Sequence, residues 1–177
     1  MRSMLFVPGD SEKKLEKGFG AEADVVIVDL EDSVAPHNKE AARAIAAAFI
    51  AARRQETGPA VYIRVNDLST GLTDDDLAAL VPARPDGIML PKSNSGQDVQ
   101  RLAAKLRVAE AEAGISDGTT RIVPIIRPSV NSELTRGLPH SLLAAKSKSI
   151  CSGCGLSVIT ENSMLSLSVT VLRSAWL

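Results

Sequence analysis

The sequence predicts an α/β fold, a parallel sheet of the (β/α)8 class wrapped by helices, and three observations carry that prediction. Short β-rich runs alternate with alanine-rich helical runs through the first 126 residues, which is the rhythm of βα units around a parallel sheet. The β-rich runs are continuously apolar rather than alternating, as strands covered on both faces must be. No G-x-G-x-x-G follows a strand and "VPGDSEKK" lacks the lysine spacing of a P-loop, so nucleotide-binding versions of an α/β sheet lose support to a barrel.

The elements follow in order. "SMLFVP" (3–8) is the first strand, and Asp10 or Ser11 can cap a helix over about 11–18. "VVIVDLE" (25–31) is the second strand, followed by a turn through Pro36 and a helix over 39–54. "VYIRVN" (61–66) is the third, and Thr73 with the acidic run Asp74, Asp75, Asp76 suits the positive end of a helix over 74–80. "GIMLPK" (87–92) is the fourth; a helix over 95–113 stops at Gly114, and "RIVPII" (121–126) is the fifth.

Beyond Ile126 the pattern changes. Residues 129–177 carry six of the 41 charged residues and eleven serines, against seven serines in the preceding 128 positions, and no aspartate follows Asp117. A β-like run near 164–172 is the one regular feature there. The expected architecture is therefore a truncated TIM (β/α)8 barrel over residues 1–128, about five parallel strands of eight, with an atypical C-terminal tail over 129–177. A frameshift near codon 126 would produce all of these changes at one point.

Composition narrows the function. A formal net charge of −1, with basic and acidic residues intermixed, supplies neither a stripe for nucleic acid nor a polybasic anchor for a membrane surface. One Trp, one Tyr and three Phe are too few for a stacking platform, which leaves a small polar ligand. The opening apolar run stops at Pro8, short of a signal sequence, and a cytoplasmic protein is expected. Cys151 and Cys154 form a lone C-x-x-C without a second ligand pair and read as incidental thiols. His37 reads as a solvated loop residue, and His140 has no partner that suggests a metal or a nucleophile.

In such a barrel the working residues gather where strands end and βα loops begin. The second strand ends in Asp29, Glu31 and Asp32, the third in Arg64 and Asn66, and the fourth in Lys92. Arg64 interrupts an apolar strand where a guanidinium is rarely buried alone, so it requires an anionic substrate or a second-strand carboxylate. The other residues have plainer readings. Asp32 and Ser33 suit a turn, Lys92 can extend to water, and Asp74 to Asp76 suit a helix start and nothing more.

Four ordered motifs, "RSMLFVPGDSEKKLEKG", "ADVVIVDLEDSVAPHNKEAAR", "IRVND" and "DGIMLPKSNSGQDVQRL", resemble the citrate lyase β-subunit-like branch of the HpcH/HpaI aldolase superfamily over about residues 1–125. The resemblance implies a TIM-barrel acyl-CoA ester lyase, usually homo-oligomeric and Mg2+-dependent. Such an enzyme cleaves or forms the C–C bond of a 3-hydroxy-acyl-CoA such as citryl-, malyl- or methylmalyl-CoA, with an acyl-CoA and a 2-oxo acid as the other partners. It also implies that Asp29, Glu31 and Asp32 line the metal through its waters, and that Arg64 takes the oxo-acid carboxylate as a bidentate fork beside Asn66 and Lys92. Arg64, Asp29 and Glu31 would then form the catalytic set.

The sequence also departs from that family. Its members follow the fifth strand with A-T-E-T and the sixth with G-x-E-D-L, whose acidic residues bind metal directly; here Pro128 replaces the glutamate and no E-D-L follows. Two readings result: a lyase impaired by the loss of both direct ligands, and a non-catalytic binding module that keeps the oxo-acid rim.

Overall fold

A computed structural model describes residues 3–126 and the backbone of residues 159–160. Within them lies one sheet of parallel strands: β1 (Met4–Pro8), β2 (Val25–Asp29), β3 (Ala60–Arg64), β4 (Gly87–Ser93), β5 (Arg121–Ile126) and a two-residue β6 (Ile159–Thr160). Spatial order equals chain order throughout, and every neighbouring pair is parallel. That monotonic order is the topology of a (β/α)8 barrel wall; a doubly wound sheet reverses direction at its switch point.

Four helices lie between the first five strands: α1 (Glu12–Phe19), α2 (Lys39–Arg53), α3 (Thr73–Leu80) and α4 (Gly96–Glu112). Each matches its expected position to within one or two residues. Local details differ more. Ser11 occupies the N-cap of α1 but makes no side-chain cap hydrogen bond, and Leu72 rather than Thr73 precedes α3. α4 is fixed by a reciprocal capping box between Ser95 and Asp98 and is followed by Gly114 at φ +64°.

The strand residues divide by the two-residue period. Val7, Val28, Ile63 and Leu90 face the helices and pack with Leu15, Ala46, Leu80 and Leu102. Val25, Ile27, Tyr62, Met89, Val123 and Ile125 form a second buried cluster on the other face, joined by Met4 and Phe6. Burial on both faces is why the strands read as unbroken apolar runs. Gly87 opens β4 because a side chain there would collide with Tyr62, whose Cε1 lies 2.2 Å from the position of an added Cβ.

β6 is the element that the sequence pattern does not announce. Ile159 and Thr160 pair with Ile125 and Ile126 in parallel, placing a segment of the compositionally distinct tail against β5. A two-residue pairing has no periodicity to read. The run near 164–172, His140 and the thiols Cys151 and Cys154 lie outside the described residues. Among the described residues no helix is long and apolar enough to cross a membrane.

Candidate functional site

β2 and β3 end level with each other, with Asp29 beside Arg64 as the last pair in register. This adjacency forces the encounter that the sequence demanded of Arg64. Its Nε donates to Asp29 Oδ1 and its Nη2 to Oδ2, both at 2.7 Å, a fork matched to a carboxylate. Asp29, 0% exposed, also accepts from the backbone N–H of Glu31 at 2.9 Å, from that of Ser33 at 3.1 Å, and from the Ser33 hydroxyl. Burial pushes the Asp29 carboxyl up, but the bonds from Arg64, Ser33 and Glu31 and the nearby guanidinium outweigh it and hold the carboxyl below its ordinary value. Burial likewise lowers Arg64, and the Asp29 hydrogen bonds with the three rim carboxylates raise it overall. Phe6 of β1 places its ring 5.0 Å from the guanidinium carbon.

The loop after β2 carries the other two carboxylates. Lys39, at the start of α2, donates its Nζ to the carbonyls of Leu30 and Glu31 at 2.5 and 2.6 Å and so pins the loop from behind. Burial is the largest influence on Lys39 and lowers its pKa, against the surrounding carboxylates, which raise it. β4 is irregular between Leu90 and Ser93, and Lys92 there has φ +51°. This is a left-handed conformation that side-chain-bearing residues rarely adopt, and the bulge re-aims the side chain. Lys92 Nζ reaches 2.7 Å from Glu31 Oε1 and 3.8 Å from Asp32 Oδ1. Arg64 Nη1 lies 3.4 Å from Glu31 Oε2 and 3.6 Å from Asp32 Oδ2. The adjoining Glu31 carboxylate raises the Lys92 pKa.

Glu31 is 7% exposed, yet neither of its carboxylate oxygens accepts a properly aligned hydrogen bond. Its partners are the ion pairs with Lys92 at 2.7 Å and Arg64 at 3.4 Å, and the short Lys92 contact is the largest cause of the raised Lys92 pKa. Asp32, with its side chain 64% exposed, makes only the longer contacts.

Five of the six expected rim residues are thus brought together: Asp29, Glu31, Asp32, Arg64 and Lys92. Asn66 is not. Its backbone N–H and Nδ2 both donate to Asp76 Oδ2, at 2.7 and 2.8 Å, while Arg43 Nε donates to Asp76 Oδ1 at 2.7 Å. Asp76, expected only to start a helix, is instead 0% exposed and ties the exit of β3 to α2 and α3. Its helix position could have shown this, since Asp76 falls on the same stripe as the buried Thr73, Leu77 and Leu80. Lys39 and the hydroxyl of Ser33 are the other contributors that sequence reasoning passed over. His37 is exposed in the short turn Pro36–Asn38, as its loop reading expects.

Mg2+ requires six oxygen donors in near-octahedral geometry. Both oxygens of Asp29 are already committed to Arg64, Ser33 and Glu31. Glu31 and Asp32 remain as oxygen donors, and among the described residues no group of three or more His, Cys, Asp or Glu side chains is arranged to hold a metal ion. The described residues alone do not make a metal centre.

A sequential parallel sheet with this rim has relatives. Residues 2–127 match the family described as HpcH/HpaI aldolase/citrate lyase. The chain belongs to the HpcH/HpaI aldolase/citrate lyase family. Within that family it is 40% identical over 103 residues to a (3S)-malyl-CoA thioesterase of Cereibacter sphaeroides, a match covering 58% of this chain and 35% of that protein. It is 36% identical over 107 residues to the mitochondrial citramalyl-CoA lyase of Homo sapiens, covering 59% of this chain and 31% of the relative. Against citrate lyase subunit beta of Haemophilus influenzae the figures are 34% over 125 residues, 71% and 43%.

Solved structures agree on the fold. The magnesium and glyoxylate complex of Haloferax volcanii malate synthase superposes with a TM-score of 0.64 at 18% identity, covering 76% of this chain and 44% of that one. A Mycobacterium tuberculosis protein solved with magnesium and acetoacetate gives 0.50 at 31% identity, covering 70% and 54%. The chain spans 31 to 43% of the length of these curated relatives.

Proposed function

We propose that this member of the family serves the reversible C–C cleavage of a 3-hydroxy-acyl-CoA of the citryl, malyl or methylmalyl type to an acyl-CoA and a 2-oxo acid, with Arg64 meeting the oxo-acid carboxylate. The observation that carries this reading is the guanidinium itself. Arg64 is fixed by the Asp29 fork through Nε and Nη2, which leaves both N–H groups of Nη1 and one of Nη2 directed away from that bond. The fork expected for the substrate is therefore occupied by Asp29, and a ligand carboxylate meets Arg64 end-on. Lys92 supplies a second cation on the same rim.

In the cleavage direction the 3-hydroxyl loses its proton, the C2–C3 bond breaks to give the 2-oxo acid, its electron pair passes to the thioester as an enolate, and protonation of that enolate at C2 gives the acyl-CoA with no net proton change. Positive groups near the oxo-acid end hold the carboxylate and stabilise the alkoxide from which cleavage starts. Magnesium, present with acetoacetate in the M. tuberculosis relative, is part of this reading as the family's cofactor. Glu31 and Asp32 are the oxygen donors this rim offers it, and a complete centre needs donors beyond the described residues. Cytoplasmic location and homo-oligomeric assembly belong to the same proposal.

A second reading, a binding module that keeps the rim without turnover, is favoured by the lack of a metal-holding cluster among the described residues and by Pro128 in place of the expected glutamate. Cleavage of malyl-CoA and citryl-CoA at saturating Mg2+, beside Arg64→Ala, separates the two. Loss of direct metal ligands removes on the order of a thousandfold or more in rate, so negligible turnover with oxo-acid binding lost in Arg64→Ala supports the module. Robust turnover that Arg64→Ala abolishes supports the lyase.

A further inference from the structure

We propose that Glu31 is a built-in occupant of the anion corner between Arg64 and Lys92, and that a ligand carboxylate binds there by displacing it. The proposal rests on reading the rim as a carboxylate site. It adds that one of the protein's own side chains lies in that site.

Neighbouring carboxylates differ in how they are held. Asp29 holds its place with hydrogen bonds to both oxygens. Glu31 is buried to 7% exposure between two cations carried on different strands, 2.7 Å from Lys92 Nζ and 3.4 Å from Arg64 Nη1, and accepts no aligned hydrogen bond. Glu31 is held by its two ion pairs and lacks the set of hydrogen bonds that fixes Asp29, so it is the less firmly bound of the two carboxylates. Two donors approaching one carboxylate from two sides is the arrangement that a carboxylate ligand needs, and its oxygens could align where those of a tethered side chain do not.

Exchange requires little movement. Lys39 pins the backbone carbonyl of Glu31 at 2.6 Å, so release of the carboxylate is a side-chain rotation and not a loop rearrangement. Charge explains why the occupant matters. Asp29, Glu31 and Asp32 are already balanced by Arg64, Lys92 and Lys39 at this rim, so an added anion brings excess negative charge until that of Glu31 leaves the corner.

The consequence runs against the ordinary expectation for a residue inside a binding site: removing the charge of Glu31 tightens carboxylate binding. The full chain is titrated calorimetrically with acetate and with pyruvate in EDTA-containing buffer, as wild type, Glu31→Gln and Glu31→Asp, with melting curves for each. Glu31→Gln is expected to bind acetate about tenfold more tightly than wild type, the scale of one nearby unit charge in a largely aqueous setting. Glu31→Asp, which withdraws the carboxylate by one methylene, gives a smaller gain in the same direction and serves if the glutamine variant does not fold. Glu56→Gln, altering an exposed carboxylate before the start of β3 and so at the end of the sheet away from the rim, changes affinity by less than about twofold. Adding Lys92→Met to Glu31→Gln removes the gain.

Unchanged, weaker or undetectable acetate binding in both Glu31 variants overturns the proposal. A gain for acetate without any preference for pyruvate over acetate upholds the displaced occupant and refutes the 2-oxo-acid reading of the site, so the two fail separately.

Discussion

Asp76 and Asp29 are both 0% exposed and both receive an arginine, one among the helices and the other at the strand ends. Around Asp76 every nearby donor is spent on structure: Arg43 from α2 and the backbone and side chain of Asn66 saturate the carboxylate. Around Asp29 saturation stops one residue pair short. Arg64 Nη1 makes only the longer ion-pair contacts with Glu31 and Asp32, at 3.4 and 3.6 Å, Lys92 reaches out at 42% side-chain exposure, and the Glu31 oxygens lack aligned donors. The two networks use the same chemistry, so burial and ion pairing alone do not mark a functional site. Incomplete hydrogen bonding at a strand end does.

The largest effect that tests this comparison comes from deleting each aspartate. Removing one partner from a buried pair leaves an uncompensated charge and costs about 3–5 kcal/mol, so Asp29→Ala and Asp76→Ala are expected to lose similar stability in urea unfolding. Their ligand behaviour should divide. Under conditions where both variants are folded, Asp29→Ala releases Arg64 and alters carboxylate binding, whereas Asp76→Ala leaves the carboxylate affinity within about twofold of wild type, as for a substitution away from the site. Equal loss of binding in both would show that the two networks act as one.

Acid provides a graded version of the same test. The Asp29 carboxyl is held below the ordinary 3.8 in the folded state, because hydrogen bonding and the Arg64 charge outweigh a burial effect that pushes it up. A depressed folded-state value means that the stabilisation is fully present above pH 3.8 and is lost as pH falls through the lower folded value. Urea midpoints measured downward from pH 6 are expected to fall more steeply for the wild type than for Asp29→Asn, with the gap between them closing below the ordinary carboxylate range. Parallel curves would contradict the assignment.

The sheet and helices were legible in the sequence because each strand is buried on both faces, and apolar runs punctuated by Gly, Pro and Asp leave little ambiguity. That Arg64 needs an anion was legible because a guanidinium in an apolar strand must be met by charge, but the sequence left substrate and second-strand carboxylates open, and only the register of the strands singled out Asp29. What stayed hidden depends on contacts distant in sequence or on backbone conformation. The turn of Asn66 toward Asp76 needs α3 in place. The aim of Lys92 needs an irregularity in β4, and no local motif announces it. β6 joins residues more than thirty positions beyond β5 through two backbone pairs.

Lys39 shows how a residue without an expected role supports the site. One ammonium satisfies the carbonyls of Leu30 and Glu31, so Lys39→Met leaves two part-buried acceptors short of a donor and is expected to cost about 1–3 kcal/mol. Lys39→Arg should recover part of this loss. Backbone amide exchange at Glu31 and Ser33 is the sharper readout: it should accelerate in Lys39→Met if the ammonium holds the loop, and stay unchanged if the Asp29 hydrogen bonds suffice alone.

The smallest effect compares two strained backbones. Arg84 and Lys92 are the described non-glycine residues with positive φ, at +61° and +51°. Arg84 follows a short turn, Val81–Ala83, far from the rim, and glycine there relieves the left-handed strain at a gain of about 0.5–1 kcal/mol. Lys92→Gly relieves the same strain but also removes the cation 2.7 Å from buried Glu31. Its stability gain should therefore be smaller than that of Arg84→Gly, or reverse in sign. The difference between the two variants measures what Lys92 contributes beyond its backbone, and a second comparison in Glu31→Gln isolates the charge. If the two glycine variants gain equally in both backgrounds, Glu31 draws nothing from Lys92 in the ligand-free protein, and the contrast between a saturated Asp29 and a charge-held Glu31 collapses.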